Sequence, residues 1–250
     1  MLAPAQIRCG EAHHIIMTNF VLIPGAWMGT WVWERVTDGL RALGHHVSPV
    51  TLSGLSNGTD VSNVGLATHV NDVLSHMAAN DLRDVVVVGH LYSGIVAGQV
   101  ADRAPNRVAH TVFVEAFLPH DGQSMLDALD ERQREDELRQ IAEHQGRWPA
   151  PDLAALEGND LSAEQMQWLL SRFVGHPGRT VCEPTVLSRP LSAQRATYIA
   201  CTMGGHWLSE DVKAMRKEPN WTFRTIQTGH FPMVSTPNRL VELLDEVAAR

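Results

Sequence analysis

Short apolar runs alternate with segments of helical periodicity along most of the chain. Six runs have the length and the flanking turn residues that are typical of buried strands. They are "NFVLIPG", "HHVSPVTL", "DVVVVGH", "RVAHTVFVEAFLP", "RATYIACT" and "NWTFRTIQTG". Helices are predicted between them, for example over "TWVWERVTDGLRALG", where apolar residues recur on one face and Gly44 ends the helix. The pattern predicts an α/β protein with a six-stranded, mostly parallel sheet flanked by helices.

The alternation breaks between residues 120 and 190. This stretch is polar, helical in pattern and rich in Glu, Arg and Gln, so we predict an inserted helical cap there. The core would then comprise residues 17–119 and 191–250. Residues 1–16 lack a basic start followed by an apolar stretch, so we expect a poorly ordered leader and not a secretory signal.

The composition narrows the class of protein. A chain of 250 residues with 44% hydrophobic and 19% charged residues fits one globular domain with a sizeable core. A net charge of −8 argues against nucleic acid or an anionic membrane as a partner, because both require a basic face. Cys9, Cys182 and Cys201 have neither disulfide-framework nor zinc-ligand spacing, and we expect reduced thiols in a cytoplasmic protein.

Ligands of parallel sheets bind at the carboxyl ends of the strands, so the residues that follow each strand are the candidates for chemistry. The stretch "VVVVGHLYSG", from Val85 to Gly94, is the most informative. A buried strand enters a short turn, a helical pattern follows, and Leu91 stands at the tip of the turn.

Four segments carry a family resemblance. "FVLIPGAWMGTWVWERV", "LRDVVVVGHLYSGIVAGQVADRAP", "VFVEAFLP" and "TGHFPMVSTP" resemble the α/β-hydrolase superfamily, in the branch that holds plant methylesterases, hydroxynitrile lyases and their bacterial relatives. The resemblance implies the α/β-hydrolase fold with a cap. It also implies that His230 is a general base and that the backbone N–H groups of Ala26 and Tyr92 form an oxyanion hole.

The acid partner of the base is open. The family often supplies it after the fifth strand of this set, but "CTMGGHW" contains no carboxylate, and Glu210 and Asp211 follow only on the next helix. Glu115 interrupts the apolar run "TVFVEAF" and looks like the acid of haloalkane dehalogenases, which follows the preceding strand. A buried carboxylate needs a partner, and a histidine fits that role. We expect Glu115 to orient His230; a structural Glu bonded to backbone amides or an arginine is the alternative.

Two positions depart from the family. At position 91, where the elbow Gly-x-Ser-x-Gly would place its serine, leucine has no nucleophilic atom and cannot give an acyl-enzyme. Pro24 stands where relatives have histidine, and it stiffens the turn before Ala26. Ser93 lies in the first turn of the following helix, where we expect it to bond or pack near the helix N-terminus and not to act as nucleophile.

Aromatic and sulfur-containing side chains could line an apolar pocket under the cap. We predict such a pocket from Trp27, Phe117, Met125, Trp148, Trp168 and Phe231. The same side chains could instead pack the cap against the core. Hydroxynitrile lyases have a lysine close to the site, and neither "CTMGGHW" nor Phe231 offers one, which disfavours cyanohydrin chemistry.

Three functions remain open at this point. The first is a non-hydrolytic enzyme of the cyclase, lyase or decarboxylase type that acts on a small hydrophobic or aromatic carbonyl compound. The second is an esterase or lactonase inactivated by a Ser→Leu change at position 91. The third is a non-catalytic protein that binds a hydrophobic ligand in the same pocket. No metal or organic cofactor is implied, and the sequence leaves a homodimer open.

Overall fold

The computed structural model describes residues 17–56, 58–203 and 208–249. The predicted leader, residues 1–16, lies outside the described residues. None of the helices in the described ranges is both long enough and apolar enough to cross a membrane.

The main sheet has six strands, all paired in parallel, in the order β2-β1-β3-β4-β7-β8. All six strands predicted from the apolar runs are present. Their bounds are β1 Asn19–Ile23, β2 His46–Pro49, β3 Val85–His90, β4 Val108–Val114, β7 Ala196–Cys201 and β8 Trp221–Ile226.

Helices connect the strands and cover both faces of the sheet. Around the sheet run α1 Glu34–Ala42, α2 Leu66–Ala79, α3 Ser93–Arg103, α8 Glu210–Met215, α9 Pro232–Ser235 and α10 Pro237–Ala248. Between β4 and β7 lie α4 Glu131–Glu143, α5 Leu153–Leu156, α6 Ala163–Leu170 and α7 Gly178–Cys182.

The strands are apolar throughout because both of their faces are covered. Phe20 and Leu22 of β1 pack in one layer with α1 and α10, whereas Val21 and Ile23 pack in the other layer with α2 and α3. The valines of β3 divide between the two layers in the same alternating way. This period of two, with both sets buried, is the reason for a continuous apolar run in a parallel sheet.

The segment from residue 120 to 190, which we call the cap, also contains a small sheet. In it, β5 (Arg147–Trp148) pairs antiparallel with β6 (His176–Pro177). The sequence did not predict these strands, because two residues cannot show an alternating pattern. The Arg147 guanidinium donates to the carbonyl oxygens of Gly54, Thr59 and Gly175 at 3.2, 2.5 and 2.6 Å. It thereby fastens the cap to the loop after β2.

The strand order places a crevice at one point of the sheet. β1 lies between β2 and β3, so the chain leaves β1 in one direction for β2 and then crosses over to β3 on the other side. Ligands of such sheets bind outside the carboxyl ends of the strands where the order reverses. Ile23 pairs with Gly89 at this point, so the turns after β1 and β3 are neighbours.

Candidate active site

The turn between β3 and α3 has the geometry of a nucleophile elbow. Leu91 has a backbone φ of 51°, in the left-handed region that residues other than glycine rarely adopt. A Cβ on Gly89 would lie 2.3 Å from the Ser93 carbonyl oxygen, so the close approach of strand and helix requires glycine there. The Leu91 carbonyl accepts the N–H of Phe117 at 3.0 Å. The sharp strand–turn–helix arrangement is therefore complete, with a half-buried hydrocarbon at its tip.

Backbone strain collects at the carboxyl ends of three strands. Trp27 after β1 has a φ of 65°, Leu91 after β3 has 51°, and Glu115 after β4 has 44°. A residue held in such a conformation costs on the order of 1–3 kcal/mol, and these conformations cluster at functional sites. The three residues mark the same edge of the sheet as the crevice.

A cavity of about 510 Å³ opens at this edge. Leu91, Glu115 and His230 all line it, together with Phe117, Met125 and Tyr198. Its volume lies in the range of sites for small molecules. The structure thus brings the predicted base, the predicted acid and the tip of the elbow to one cavity.

The loop that carries His230 is held from two sides. The His230 N–H donates to Asn159 Oδ1 of the cap at 3.2 Å, and its carbonyl accepts Nε2–H of His90 at 2.8 Å. Burial lowers the pKa of His90 to about 4, so its imidazole is neutral and donates this hydrogen bond at pH 7. A Cβ on Gly229 would lie 2.3 Å from the Asn159 carbonyl oxygen. Asn159 has no sequence signal, because its role depends on a contact 71 residues away.

Glu115 is bonded to the neighbouring strand. Its Oε2 accepts the Cys201 N–H at 2.6 Å, so the expected alternative, a bond to a backbone amide, is present in the site. A role in orienting His230 stays a prediction. Burial, and then the Glu115 carboxylate, raise the pKa of the Cys201 thiol, which therefore stays protonated and is no thiolate nucleophile.

Hydroxyl groups near the elbow have other partners. Ser93 is fully buried, and its Oγ donates to the Pro24 carbonyl. This bond ties the turn after β1 to the first turn of α3, which explains a serine that does not fit the elbow pattern. Tyr198 donates to the Ala116 carbonyl at 3.1 Å, and burial followed by the Glu115 carboxylate raises its pKa.

The predicted oxyanion donors lie on the two neighbouring turns. Ala26 follows β1 and Tyr92 follows Leu91, and both residues are fully buried. Among the hydrogen bonds of the described residues, none uses the N–H of Ala26 or Tyr92 as its donor. These N–H groups remain the predicted donors to a ligand oxygen.

The predicted aromatic lining divides between two roles. Phe117 and Met125 line the cavity. Trp27 instead packs on Trp148 with ring centroids 4.4 Å apart, and its Nε1 donates to the Trp148 carbonyl at 3.2 Å. Trp168 packs against Trp31 at 4.9 Å, outside this cavity, and Phe231 lies buried in the core. Four of the six side chains expected in the pocket, those of Trp27, Trp148, Trp168 and Phe231, therefore pack the cap, the loop after β1 and the core together. This is the alternative that the sequence left open for these residues.

The structure adds residues that the sequence analysis did not select. His120, at the start of the cap, and Asp211, on α8, line the same cavity, and their side chains meet at 2.8 Å. The hydrogen bond to Asp211 raises the pKa of His120. Neither directly follows a strand: His120 comes six residues after β4 and Asp211 lies within α8, so little in the sequence signals this pair. No lysine or arginine occurs among the described residues that line the cavity.

Metal binding can be assessed only for the residues that the structure describes. Within those ranges, no group of three or more His, Cys, Asp and Glu side chains could hold a metal ion.

Comparison with known proteins places these features in a family. Residues 20–243 match the alpha/beta hydrolase family. A carbendazim hydrolyzing esterase of Nocardioides sp. (strain SG-4G) is 32% identical over 242 residues, covering 91% of this chain and 98% of the esterase. Methylesterase 10 of Arabidopsis thaliana is 24% identical over 273 residues, covering 96% of each chain.

Solved structures agree with the fold. An extracellular alpha/beta-hydrolase from a Paenibacillus species superimposes with a TM-score of 0.81 at 21% identity, covering 92% of this chain and 98% of the other. Tomato methylketone synthase I, complexed with 2-tridecanone, gives a TM-score of 0.71 at 18% identity, covering 93% and 98%. These structures confirm the predicted α/β-hydrolase fold, and the family match and the methylesterase relatives confirm the methylesterase-like resemblance.

Replacing Gly229 by alanine should disrupt the contact between the loop that carries His230 and the cap. The new Cβ would meet backbone atoms of Asn159, which cannot rotate away, so we expect a loss of about 1–3 kcal/mol in the free energy of unfolding. Urea denaturation measures it. Gly175→Ala is the control, because its Cβ would meet only the Arg147 side chain, at 3.1 Å, and should cost less. Equal losses in the two variants would contradict the account.

The free energy of unfolding should decline as the pH is lowered, because protonation of buried His90 is unfavourable in the folded protein. Its pKa is about 4 in the folded protein and about 6.5 in an unfolded chain, so its contribution is complete above pH 6.5 and is lost as the pH falls towards 4. The full loss is on the order of 3 kcal/mol. His90→Gln keeps a donor for the His230 carbonyl but does not titrate. Unfolding measured from pH 7 to 4 should therefore show a shallower decline for His90→Gln than for the parent, whereas exposed His46→Gln should follow the parent. Parallel curves for parent and His90→Gln would refute this role of burial.

Proposed function

The chain belongs to the alpha/beta hydrolase family, and from that premise we propose that it is a cofactor-independent enzyme of the lyase or cyclase type. It acts on a small hydrophobic carbonyl compound without forming an acyl-enzyme. His230 is the general base, Glu115 orients it, and the N–H groups of Ala26 and Tyr92 hold the carbonyl oxygen.

One observation carries the proposal: Leu91, at the tip of a complete elbow, shares a cavity with His230 and Glu115. Leucine cannot attack a carbonyl carbon, and in a comparable triad hydrolase loss of the nucleophile costs about a millionfold in turnover. The base and the backbone donors do not depend on that side chain. They can still move a proton and stabilise an enolate, which is what non-hydrolytic carbonyl chemistry requires.

Cleavage of a β-hydroxy ketone illustrates the chemistry. His230 removes the hydroxyl proton, the bond between the carbinol carbon and the α-carbon breaks, and an aldehyde leaves. The electron pair of that bond stays with the α-carbon and is delocalised as an enolate. The enolate oxygen accepts hydrogen bonds from the N–H groups of Ala26 and Tyr92. The imidazolium of His230 then returns its proton to the α-carbon, which gives the ketone. Leu91 lines the cavity beside the reacting atoms and limits the access of water.

Neutral substrates fit the cavity better than carboxylates. No lysine or arginine lines it in the described part of the chain, and His120 is already paired with Asp211. Within the proposed class, cleavage or cyclisation of an uncharged ketone is therefore favoured over decarboxylation. 2-Tridecanone, the ligand of tomato methylketone synthase I, is an uncharged ketone of the general kind proposed here, whereas beta-ketoheptanoate, the ligand of a variant of that protein, carries a carboxylate.

An esterase that has lost its nucleophile is the second candidate. Two observations favour it: the tight elbow at Gly89 persists, and the Nocardioides relative at 32% identity is an esterase. On this view Leu91→Ser alone would create a working hydrolase. A pure binding protein is the third outcome, in which ligands bind without turnover and His230 does not matter.

The cellular context is also a proposal. The net charge of −8 favours small molecules over nucleic acid or anionic membranes as partners, and the free thiols of Cys182 and Cys201 suit the cytoplasm.

A fluorogenic β-hydroxy ketone should be cleaved by the parent protein and not by the variant that lacks the base. General base catalysis contributes about 10²–10⁴-fold, so we expect His230→Ala to lower kcat/KM by at least about 100-fold. Release of the fluorescent aldehyde measures the rate. His46→Gln controls for loss of a histidine as such, because His46 is exposed at the start of β2, at the opposite edge of the sheet from the cavity. Equal activity of parent and His230→Ala would end the proposal.

Hydrolysis of p-nitrophenyl acetate separates the two enzymatic candidates. We expect the parent to be inactive as an esterase, since it lacks a nucleophile. If Leu91→Ser gains strong esterase activity while the parent cleaves no β-hydroxy ketone, the inactivated esterase is the correct account. If the parent cleaves the β-hydroxy ketone, the lyase account is supported, whether or not Leu91→Ser keeps this activity.

A further inference from the structure

A hydrogen-bond chain runs from the elbow through fully buried Tyr92 and His69 to half-buried Ser53 and Asp72. The Tyr92 hydroxyl meets Nδ1 of His69 on α2 at 2.9 Å, and Nε2 of His69 meets the Ser53 carbonyl at 2.8 Å. Asp72 holds Ser53 in turn, accepting its N–H at 2.8 Å and its hydroxyl at 3.0 Å. Tyr92 is thus fixed through its side chain to the loop after β2.

A second buried histidine holds the turn after β1. Nδ1 of His176 accepts the N–H of Trp27 at 3.4 Å, and its Nε2 meets Thr180 Oγ1 at 2.9 Å. The Thr180 hydroxyl donates to the Pro177 carbonyl at 2.7 Å. His176 therefore fixes the peptide that joins Ala26 to Trp27.

The partners decide the tautomers of both rings. The Ser53 carbonyl can only accept, so His69 carries its proton on Nε2 and its Nδ1 accepts from Tyr92. The Thr180 hydroxyl gives its proton to Pro177, so its oxygen accepts Nε2–H of His176, and Nδ1 is again an acceptor. Burial lowers the pKa of His69 to about 4 and that of His176 well below its usual value, which keeps both rings neutral.

The two histidines also contact each other and the elbow. Their ring centroids are 5.6 Å apart, and the ring of His176 lies 4.6 Å from that of Tyr92. One compact pair therefore anchors Tyr92 on one side and the turn of Ala26 on the other. Ala26 and Tyr92 are the two residues whose N–H groups form the oxyanion hole of the proposed function.

We infer that His69 and His176 are positioning residues that set the separation and direction of the Ala26 and Tyr92 N–H groups. The inference rests on the proposed function. Two aliphatic side chains would fill the same volume, but they could not accept a hydrogen bond from the Tyr92 hydroxyl or from the Trp27 N–H. A displacement of about 1 Å at a reacting group can cost about 100-fold in rate, so the anchoring of these turns matters for catalysis and not for folding alone.

The infrared carbonyl stretch of bound acetophenone, labelled with ¹³C at the carbonyl, reports the oxyanion hole directly. Donors aimed at the oxygen lower the frequency relative to the ketone in buffer. We expect a red shift in the parent, loss of at least half of it in His69→Leu and His176→Leu, and recovery in His69→Asn and His176→Asn. Asparagine places an acceptor oxygen near the position of Nδ1, whereas leucine keeps only the volume.

His45→Leu is the matched control. His45 is buried, and its Nδ1 accepts a backbone N–H, that of Thr18, also at 3.4 Å, but it precedes β2 at the opposite edge of the sheet. It should cost stability in thermal unfolding and leave the red shift unchanged. If all three leucine variants keep the full red shift, or if His45→Leu loses it equally, the inference is wrong.

A second readout covers a leucine variant that fails to fold. Tyr92→Phe removes only the hydroxyl that His69 accepts and should also reduce the red shift. With the β-hydroxy ketone as substrate, Tyr92→Phe and whichever leucine variant folds should lower kcat by about 10–100-fold, less than the loss of one whole donor, with KM within about threefold. An unchanged kcat overturns the inference.

The proposed function and the positioning role of the two histidines are refuted by different results. A parent protein that binds acetophenone without any red shift refutes the oxyanion hole, and with it the proposed function. A red shift in the parent that survives in both leucine variants leaves the proposed function intact and refutes only the positioning role.

Discussion

The tight turn between β3 and α3 is the constraint on which the site depends. β3 is buried on both faces, and α3 must pack back onto the sheet at once, so strand and helix approach until only glycine fits at position 89. The turn forces residue 91 into a left-handed conformation, which costs a leucine about 1–2 kcal/mol. Whatever side chain stands there lines the cavity. The fold thus fixes the place of the chemistry, and the identity of residue 91 decides its kind.

The groups around this turn are held by contacts from distant parts of the chain. His90, the last residue of β3, donates to the carbonyl of His230, and Asn159 of the cap accepts the N–H of the same residue. The predicted base is therefore held in place by the core and the cap together. On the opposite side of the elbow, the buried histidines on α2 and β6 anchor the turns that carry the two backbone donors. These supports surround a leucine, and the proposed proton transfer would require the same supports in the absence of a nucleophile.

Local patterns were sufficient to predict the sheet and the position of the cavity. The six apolar runs became the six strands, and the rule that ligands bind at strand ends led to Leu91, Glu115 and His230, which share one cavity. Contacts between distant segments were beyond such patterns. An aromatic side chain gives the same sequence signal whether it lines a pocket or packs the cap against the core, and Trp27, Trp148 and Trp168 pack. Asn159, His69 and His176 contact the site through hydrogen bonds to residues 71, 23 and 149 positions away, and such contacts leave no periodicity in the sequence.

The most direct test asks whether the site removes a proton from carbon next to a carbonyl group when nothing can be cleaved. Acetophenone in D₂O exchanges its methyl protons only through an enol or enolate, and proton NMR follows the loss of the methyl signal. The account predicts that the parent protein accelerates this exchange above the buffer rate and that His230→Ala abolishes the acceleration. Exchange at the buffer rate in a parent protein that demonstrably binds acetophenone would contradict it.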